Sequence, residues 1–430
     1  MTDRKTQLTL FALLLLVPFS MAAESQAVPP LQNNELDGKV FCGYQGWFGA
    51  PGDGTEIGFD NYRFAGKFEP GTCVIDYWPD LSEFDEYEKY GTSFRHADDS
   101  VAHVFSAANA RTVDRHFQWM KEYGIDGIFL QRFGWALKQP ETLAHRNQVH
   151  ENVRKAAVKH GRIRALMYDL TSLEAGDIEK YVIPDFKRIA RRENLASDSS
   201  YVRFHGQPVV AVWGIGFNDN RAYSLEECSR LIEFLKNDPV FGGNAVMLGV
   251  PYYWREQGPD TVDDPRFIEV IKQADIISPW AVGRYGTVED AQNLMSETLK
   301  ADAQWTSQND QGYLPVIFPG FSWHNLTTAE GKPKPLNRIP RLGGKFLWTQ
   351  AAEVKRAGID MVYVAMFDEM NEGTCVFKCT NDPPVGESPF LTYAVDQLPS
   401  DHYLWLTGRI GDLMGGELAD LIELPQRNPE

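Results

Sequence analysis

The chain is short of positive charge. Its 430 residues carry 42 Lys and Arg against 59 Asp and Glu, a formal net charge of −17. No Lys/Arg cluster stands out, and an acidic surface repels phosphate backbones, which argues against nucleic acid as a partner. Cysteine is scarce too. The five present, Cys42, Cys73, Cys228, Cys375 and Cys379, are too few and too scattered to build a disulfide scaffold, and an odd count leaves at least one free. Cys375 and Cys379 are close enough for a bridge that would brace a loop in an oxidising compartment, or they remain two thiols. The nine His show no H-x-x-x-H spacing or similar cluster beside these thiols, so no metal or other cofactor is expected. The glycine-rich GYQGWFGAPGDG contains no G-x-G-x-x-G in a βαβ context, which gives no reason to place a nucleotide there. Internal repeats, low-complexity tracts and interdomain linkers are absent. So are long apolar runs beyond residue 21.

The one apolar run of note is N-terminal. Arg4 and Lys5 precede a stretch from Leu8 to about Met21, and Ser20-Met21-Ala22 supplies small residues for cleavage. The run has the length of a signal-peptide core and falls short of a membrane span, a retained anchor being the alternative. Residues 1–22 therefore read as a signal peptide and 23–35 as a tether. The expected product is secreted or periplasmic, with no membrane span after signal removal.

Past the tether the chain alternates regularly. Short apolar, β-branched runs occur at 39–44, 126–131, 163–168, 208–213, 245–250, 275–280, 314–318 and 360–367. Amphipathic stretches at 109–123, 141–160, 178–193, 224–237, 264–273, 288–301, 343–357 and 402–414 separate and close them. In 109–123, Val113, Phe117 and Met120 share one face. Several of the apolar runs are continuous, as in strands buried on both faces of a parallel sheet. Eight βα units predict a (β/α)₈ TIM barrel over 36–415, one catalytic domain with a tail at 416–430; an open doubly wound sheet is the alternative. Residues 45–108 form an enlarged first βα loop, either a wall of the cleft or a surface excursion with its own small core.

In such a barrel, chemistry sits at the C-terminal ends of the strands. Those ends are aromatic and polar here: Tyr44, Gln45 and Trp47; Gln131, Arg132 and Trp135; Tyr168 and Asp169; Trp213; Tyr252, Tyr253, Trp254, Arg255 and Glu256; Trp280, Arg284 and Tyr285; Trp323 and His324. Aromatic rings stack on sugar faces, and hydroxyls call for Arg, Asp, Gln and Tyr. An oligo- or polysaccharide partner is expected, with Tyr44, Trp47, Arg132, Trp135, Tyr168, Asp169, Tyr252, Trp254, Trp280, Trp323 and His324 as candidate sugar contacts. Bland readings stand beside these. Asp169 and Glu256 suit strand-end ion pairs, Arg132 and Arg284 suit ordinary pairing with the excess carboxylates, and His324 suits a satisfied loop histidine.

The densest signal is VYVAMFDEMNEGT, where Asp368, Glu369 and Glu372 stand at the end of the last apolar run. Glycosidic cleavage needs two carboxyl groups with separated proton affinities, one to protonate the leaving oxygen and one to act as base or nucleophile. Glu369 and Glu372 are the candidate catalytic pair. A solvated acidic loop, a cation site or a noncatalytic glycan-binding barrel is the competing reading.

Phe367 to Thr374, F-D-E-M-N-E-G-T, resembles the F-N-E-W-H-E-G-T motif of glycoside hydrolase family 99, the endo-acting α-mannosidases and α-mannanases. Gly43 to Gly49 is similar to that family's first strand and loop, and Met167-Tyr168-Asp169 matches its third-strand region loosely. The chain as a whole resembles the bacterial proteins grouped as family 71/99-like, some labelled xylosidase or arabinosidase. The resemblance implies a TIM-barrel hydrolase of α-linked glycans acting with net retention through a 1,2-anhydro sugar. It implies that Glu369 is the base on the sugar 2-hydroxyl and Glu372 the general acid/base. Asp368, Met370 and Asn371 replace the motif's Asn, Trp and His. These departures imply an altered pocket wall and leave mannan-like and xylose- or arabinose-type substrates both open.

Overall fold

The computed structural model describes residues 33–418 and 423–427; residues 1–32, with the expected signal peptide and most of the tether, lie outside them. Each of the eight apolar runs becomes a strand of one parallel sheet. The strands are β1 (Val40–Tyr44), β2 (Gly127–Phe133), β3 (Ile163–Asp169), β4 (Gln207–Trp213), β5 (Ala245–Pro251), β6 (Ile276–Trp280), β7 in two pieces (Gly312–Tyr313 and Val316–Ile317) and β8 (Val362–Val364). Strands pair in chain order from β1 to β6, the first piece of β7 pairs with β6, its second with β8, and β8 with β1. The ring is closed, and the fold is a (β/α)₈ barrel.

The break in β7 falls at Leu314-Pro315. Pro315 has no N–H to give, yet its carbonyl accepts from Tyr363 N at 3.0 Å while Leu314 N donates to Ile277 O at 2.9 Å. Past the second piece, the backbone of Phe318 is met by a side chain. Gln350, fully buried on helix Lys345–Arg356, accepts from Phe318 N at 3.1 Å and donates to Phe318 O at 2.8 Å.

The helices fall where amphipathic patterning predicts them, from Ala110–Tyr123 and Pro140–His160 to His402–Met414. Local chemistry sets their ends. Asn109 caps the first through Arg111 N at 3.0 Å, and Gly124 at φ 79° ends it; Ser224 and Glu227 form a capping box before Leu225–Asn237.

Register sorts the strand residues into two faces. Phe133, Asp169, Trp213, Gly249 and Ser278 stand side by side across β2 to β6, and this row faces the barrel axis. The row one residue earlier, Arg132, Tyr168, Val212, Leu248 and Ile277, faces outward, its last four packed in the apolar layer beneath the helices. Gly249 is required where it stands, since a Cβ there would lie 2.3 Å from the Trp213 ring.

The first βα loop fills both roles open to it. Its outer part carries the antiparallel pair Tyr90–Arg95 and Val101–Val104 and an aromatic core in which Phe68, Trp78 and Phe94 meet at centroid distances of 4.9–5.9 Å. Its inner part reaches the segment after β8: Asp76 N donates to Met370 O at 3.0 Å, and Asn61 O accepts from Asn371 Nδ2 at 3.0 Å. At the chain's flanks, Leu36 N bonds Arg203 O at 3.1 Å, and Arg427 pairs with both carboxylate oxygens of Asp401 at 2.6 and 2.8 Å.

Candidate active site

β8 ends at Val364, and the chain turns back on itself to present Glu369 and Glu372. The carbonyl of Glu369 accepts the N–H groups of Thr374 at 3.1 Å and Cys375 at 3.0 Å, and that of Glu372 accepts Ser322 N at 2.8 Å. Gly373 sits at φ 63° with its Cα face against Ser322, a conformation and a closeness that suit glycine. The turn is held from behind by Arg341, whose Nη2 donates to the carbonyls of Gly373 and Cys375, both at 2.7 Å.

Asp368 does not enter the cleft. It is fully buried, and its two oxygens accept the backbone N–H of Gln45 at 2.7 Å and of Gly46 at 2.9 Å, joining the end of β8 to the end of β1. An Asn could accept only one of these bonds, so the aspartate completes the clamp. Met370 is likewise fully buried, in the apolar core. Two of the three departures from the family motif therefore alter packing behind the cleft, contrary to the expectation of an altered wall. Asn371 is the exception, with a buried Oδ1 that has no partner.

Gln45, absent from the candidate contacts, is a hub. Its backbone binds Asp368, and its Nε2 donates to Glu369 Oε2; Gln45 Oε1 and Glu369 Oε1 are left unpaired. Position one residue after a strand end was the available signal.

Burial raises the proton affinity of all three acids. Glu369 is pushed well above the usual carboxylate range by burial, then by the charges of Glu372 and Asp368, with the Gln45 hydrogen bond opposing. Burial takes Glu372 to about 7 against the pull of the Trp323 indole, and Asp368 to about 6 against the backbone N–H groups it accepts. Glu369 is buried and Glu372 half-buried, and the charge of Glu372 raises the proton affinity of Glu369, so the pair keeps a proton into the neutral range.

The remaining candidates divide by face. Trp47, Trp135, Asp169, Trp280, Trp323 and His324 are partly exposed around the mouth of the barrel, with Trp213 among them. Trp47 stacks on Phe133 at 5.0 Å beside Trp135, and Trp213 meets Trp280 edge to face at 5.5 Å. Asp169 accepts from Thr171 N at 2.7 Å, and the His324 ring bonds Lys334 O at 2.7 Å. Tyr252 is nearly covered by Tyr253 and Tyr285, its hydroxyl without a geometric partner.

Four candidates are corrected. Tyr44 points outward, its hydroxyl 2.8 Å from His116 Nδ1. Arg132 pairs with Asp185 at 2.6 Å, and Tyr168 donates to that same carboxylate at 2.9 Å. Trp254, fully buried, donates to Asp302 at 3.1 Å. All four belong to the layer between strands and helices, where a polar tip needs an internal partner. Arg284 pairs with Asp260 at 2.6 Å, and Glu256 with Arg255. Missed from sequence were Asp76, which accepts the N–H groups of His324 at 2.7 Å and Asn325 at 2.8 Å, and Arg146, buried on a helix among Trp47, Phe133 and Trp135. Among the described residues no group of three or more His, Cys, Asp or Glu is placed to hold a metal ion, and no helix is long and apolar enough to cross a membrane.

A closed eight-stranded barrel with paired carboxyl groups after β8 is an architecture found among glycoside hydrolases. No protein-family profile and no curated sequence matches the chain. Among solved structures it is similar to the family 99 endo-α-mannosidase from Bacteroides thetaiotaomicron in complex with bis-tris propane, with a TM-score of 0.62 and 14% identity over 88% of this chain and 98% of that one. A second structure of that enzyme gives 0.61 and 13% over the same shares, and a glycoside hydrolase-like protein gives 0.52 and 13% over 90% and 97%. The resemblance drawn from Phe367 to Thr374 is thus matched by a likeness of fold along most of both chains.

Proposed function

We propose that the chain is an exported glycoside hydrolase that cleaves α-linked glycans with net retention. The observation that carries this reading is a pair of carboxyl groups after β8, Glu369 buried and Glu372 half-buried, both with raised proton affinities, in a barrel similar in fold to family 99 enzymes. Glu369 takes the proton of the sugar 2-hydroxyl, whose oxygen closes on the anomeric carbon to give a 1,2-anhydro sugar. Glu372 protonates the departing glycosidic oxygen and then deprotonates the water that opens the anhydride. Glu369 returns its proton to the sugar 2-oxygen as the anhydride opens, and the cycle starts with the shared proton on Glu372, so substrate binding must move it there from Glu369, which holds it more tightly in the unliganded chain.

The aromatic groups support a polymeric substrate and endo action. Trp47 and Phe133 lie beside β1 and β2, next to the acids, while Trp213 and Trp280 lie across the mouth at β4 and β6. Trp47 and Trp213 each keep an indole N–H without a partner, a cost that a ligand hydroxyl would offset. A mannan-like glycan is the substrate proposed.

Glu369→Gln and Glu372→Gln, assayed against α-mannans, α-glucans, xylans and arabinans, test the assignment. Each should lose about 10²–10⁴-fold in kcat/KM on whichever polymer the wild type cleaves. Near-normal rates in both variants would remove the site assignment. Binding without turnover by the wild type would replace hydrolysis with a glycan-binding role, and NMR of the first product distinguishes retention from inversion.

A further inference from the structure

Immediately after the two glutamates, the chain carries its one close pair of cysteines. Cys375 and Cys379 are thiols in this structure, both fully buried, and their sulfurs face each other at 3.6 Å. A disulfide needs about 2.05 Å between sulfurs, so small side-chain rotations and a slight tightening of the loop would close the bond. The surroundings favour reaction at one of the two. Arg341 lies with Nη2 3.9 Å from Cys375 Sγ, its guanidinium held over the rings of Tyr77 and Tyr403, each at 4.5 Å, and of Tyr393 at 5.3 Å. That cation stabilises a thiolate at Cys375, while burial and the Cys375 charge oppose one at Cys379.

We propose that Cys375 and Cys379 are a modification site: the chain folds around a disulfide between them, installed by a disulfide-bearing oxidant such as a thiol–disulfide oxidoreductase or oxidised glutathione. The Cys375 thiolate attacks the oxidant's disulfide and releases one oxidant thiol. The Cys379 thiolate then attacks the Cys375 sulfur, the bond to the oxidant breaks, and the second oxidant thiol leaves. Two electrons and the two cysteine protons end on the oxidant. Because both sulfurs are sealed from solvent in the folded chain, the exchange occurs before the loop closes, and the fold then shields the bond from reductants.

The link joins two anchored points. Cys375 N bonds Glu369 O at 3.0 Å, and Cys379 bridges Pro79 of the first loop while its N–H meets Ser400 O at 3.4 Å. A bond between them would fasten the exit of the catalytic turn to the loop that walls it, whatever reaction the turn supports.

The test uses the whole chain, refolded from denaturant in a mixture of reduced and oxidised glutathione, quenched with acid, alkylated under denaturing conditions and digested with trypsin. Trypsin cuts after Lys378, so a disulfide would hold two otherwise separate peptides together. The expected result is a linked pair containing Cys375 and Cys379, released by reductant, with Cys42, Cys73 and Cys228 alkylated. In Cys375→Ser the linked pair should vanish, and Cys379 should be recovered alkylated or carrying glutathione. Full alkylation of both Cys375 and Cys379 in the wild type, matching the other three, would overturn the proposal, as would linkage of either to a different cysteine.

Discussion

At the scale of single residues, the site turns on proton affinities that burial raises and neighbours set apart. Asp368 is the informative position because it is charged above about pH 6 yet never reaches the cleft. Its charge is one of the reasons Glu369 holds its proton so tightly. Asp368→Asn should therefore lower the proton affinity of the glutamate pair and move the basic limb of the kcat/KM profile to lower pH, by about one unit. An unchanged limb would mean that Asp368 acts only as the clamp on Gln45 and Gly46. The roles of these residues were unevenly legible. Glu369, Glu372 and the glycine behind them announce themselves by chemistry and spacing. In the sequence Asp368 is one of three acids after the last apolar run and Gln45 one of many polar strand-end residues; their partnership is invisible there because the bonds of Gln45 to Asp368 and Glu369 span more than 320 positions and leave no local pattern.

At the scale of elements, the first six strands were legible to within two residues at each end because apolar runs bounded by turn residues mark buried parallel strands, while the seventh and eighth are shorter than their apolar runs. Which strand-end side chain faces the cleft was not read correctly, although the information was present. Side chains alternate, so Tyr168 and Asp169 cannot both point inward, nor can Arg132 and Phe133; the register gives the inner face to Asp169 and Phe133. Polar or aromatic character near a strand end says nothing of that parity. The inner row also explains Gly249, which gives Trp213 its room. Gly249→Val should push the Trp213 ring out of place and raise KM for a polymer severalfold, with a smaller effect on kcat. Equal losses in both, or a chain that no longer folds, would show that Gly249 serves the barrel rather than the cleft; Gly249→Ala is the milder control.

At the scale of the whole molecule, buried acids make stability depend on pH. Glu372 titrates near 4.5 when unfolded and about 7 when folded, and Asp302 and Asp368 go from 3.8 to about 6. Above its ordinary range each ionises first in the unfolded chain, so their contribution is greatest in acid and is lost as pH rises to about 7. Glu193 works in the opposite sense. Its bonds to His150 and Arg164 overcome burial and bring it to about 2, so its contribution is present above 4.5 and is lost as pH falls toward 2. The two windows meet at about pH 4, where these groups should place the peak of the melting temperature. Glu372→Gln should flatten the decline between pH 5 and 7, and an identical slope in the variant would show that Glu372 is not carrying the folded-state proton.

The seventh strand shows where a count of apolar runs stops being informative. Its second piece is two residues long, and at Phe318 the neighbour that receives both backbone groups is the amide of Gln350, on a helix. A primary amide has the same donor and acceptor as a peptide unit, so Gln350 serves as a peptide by proxy, a fragment of borrowed strand supplied from outside the sheet. The circle of eight is closed by strand pairing, but just past its seventh member the backbone is completed by a residue that no rule of strand propensity would enlist, so the end of that strand depends partly on the seating of a helix.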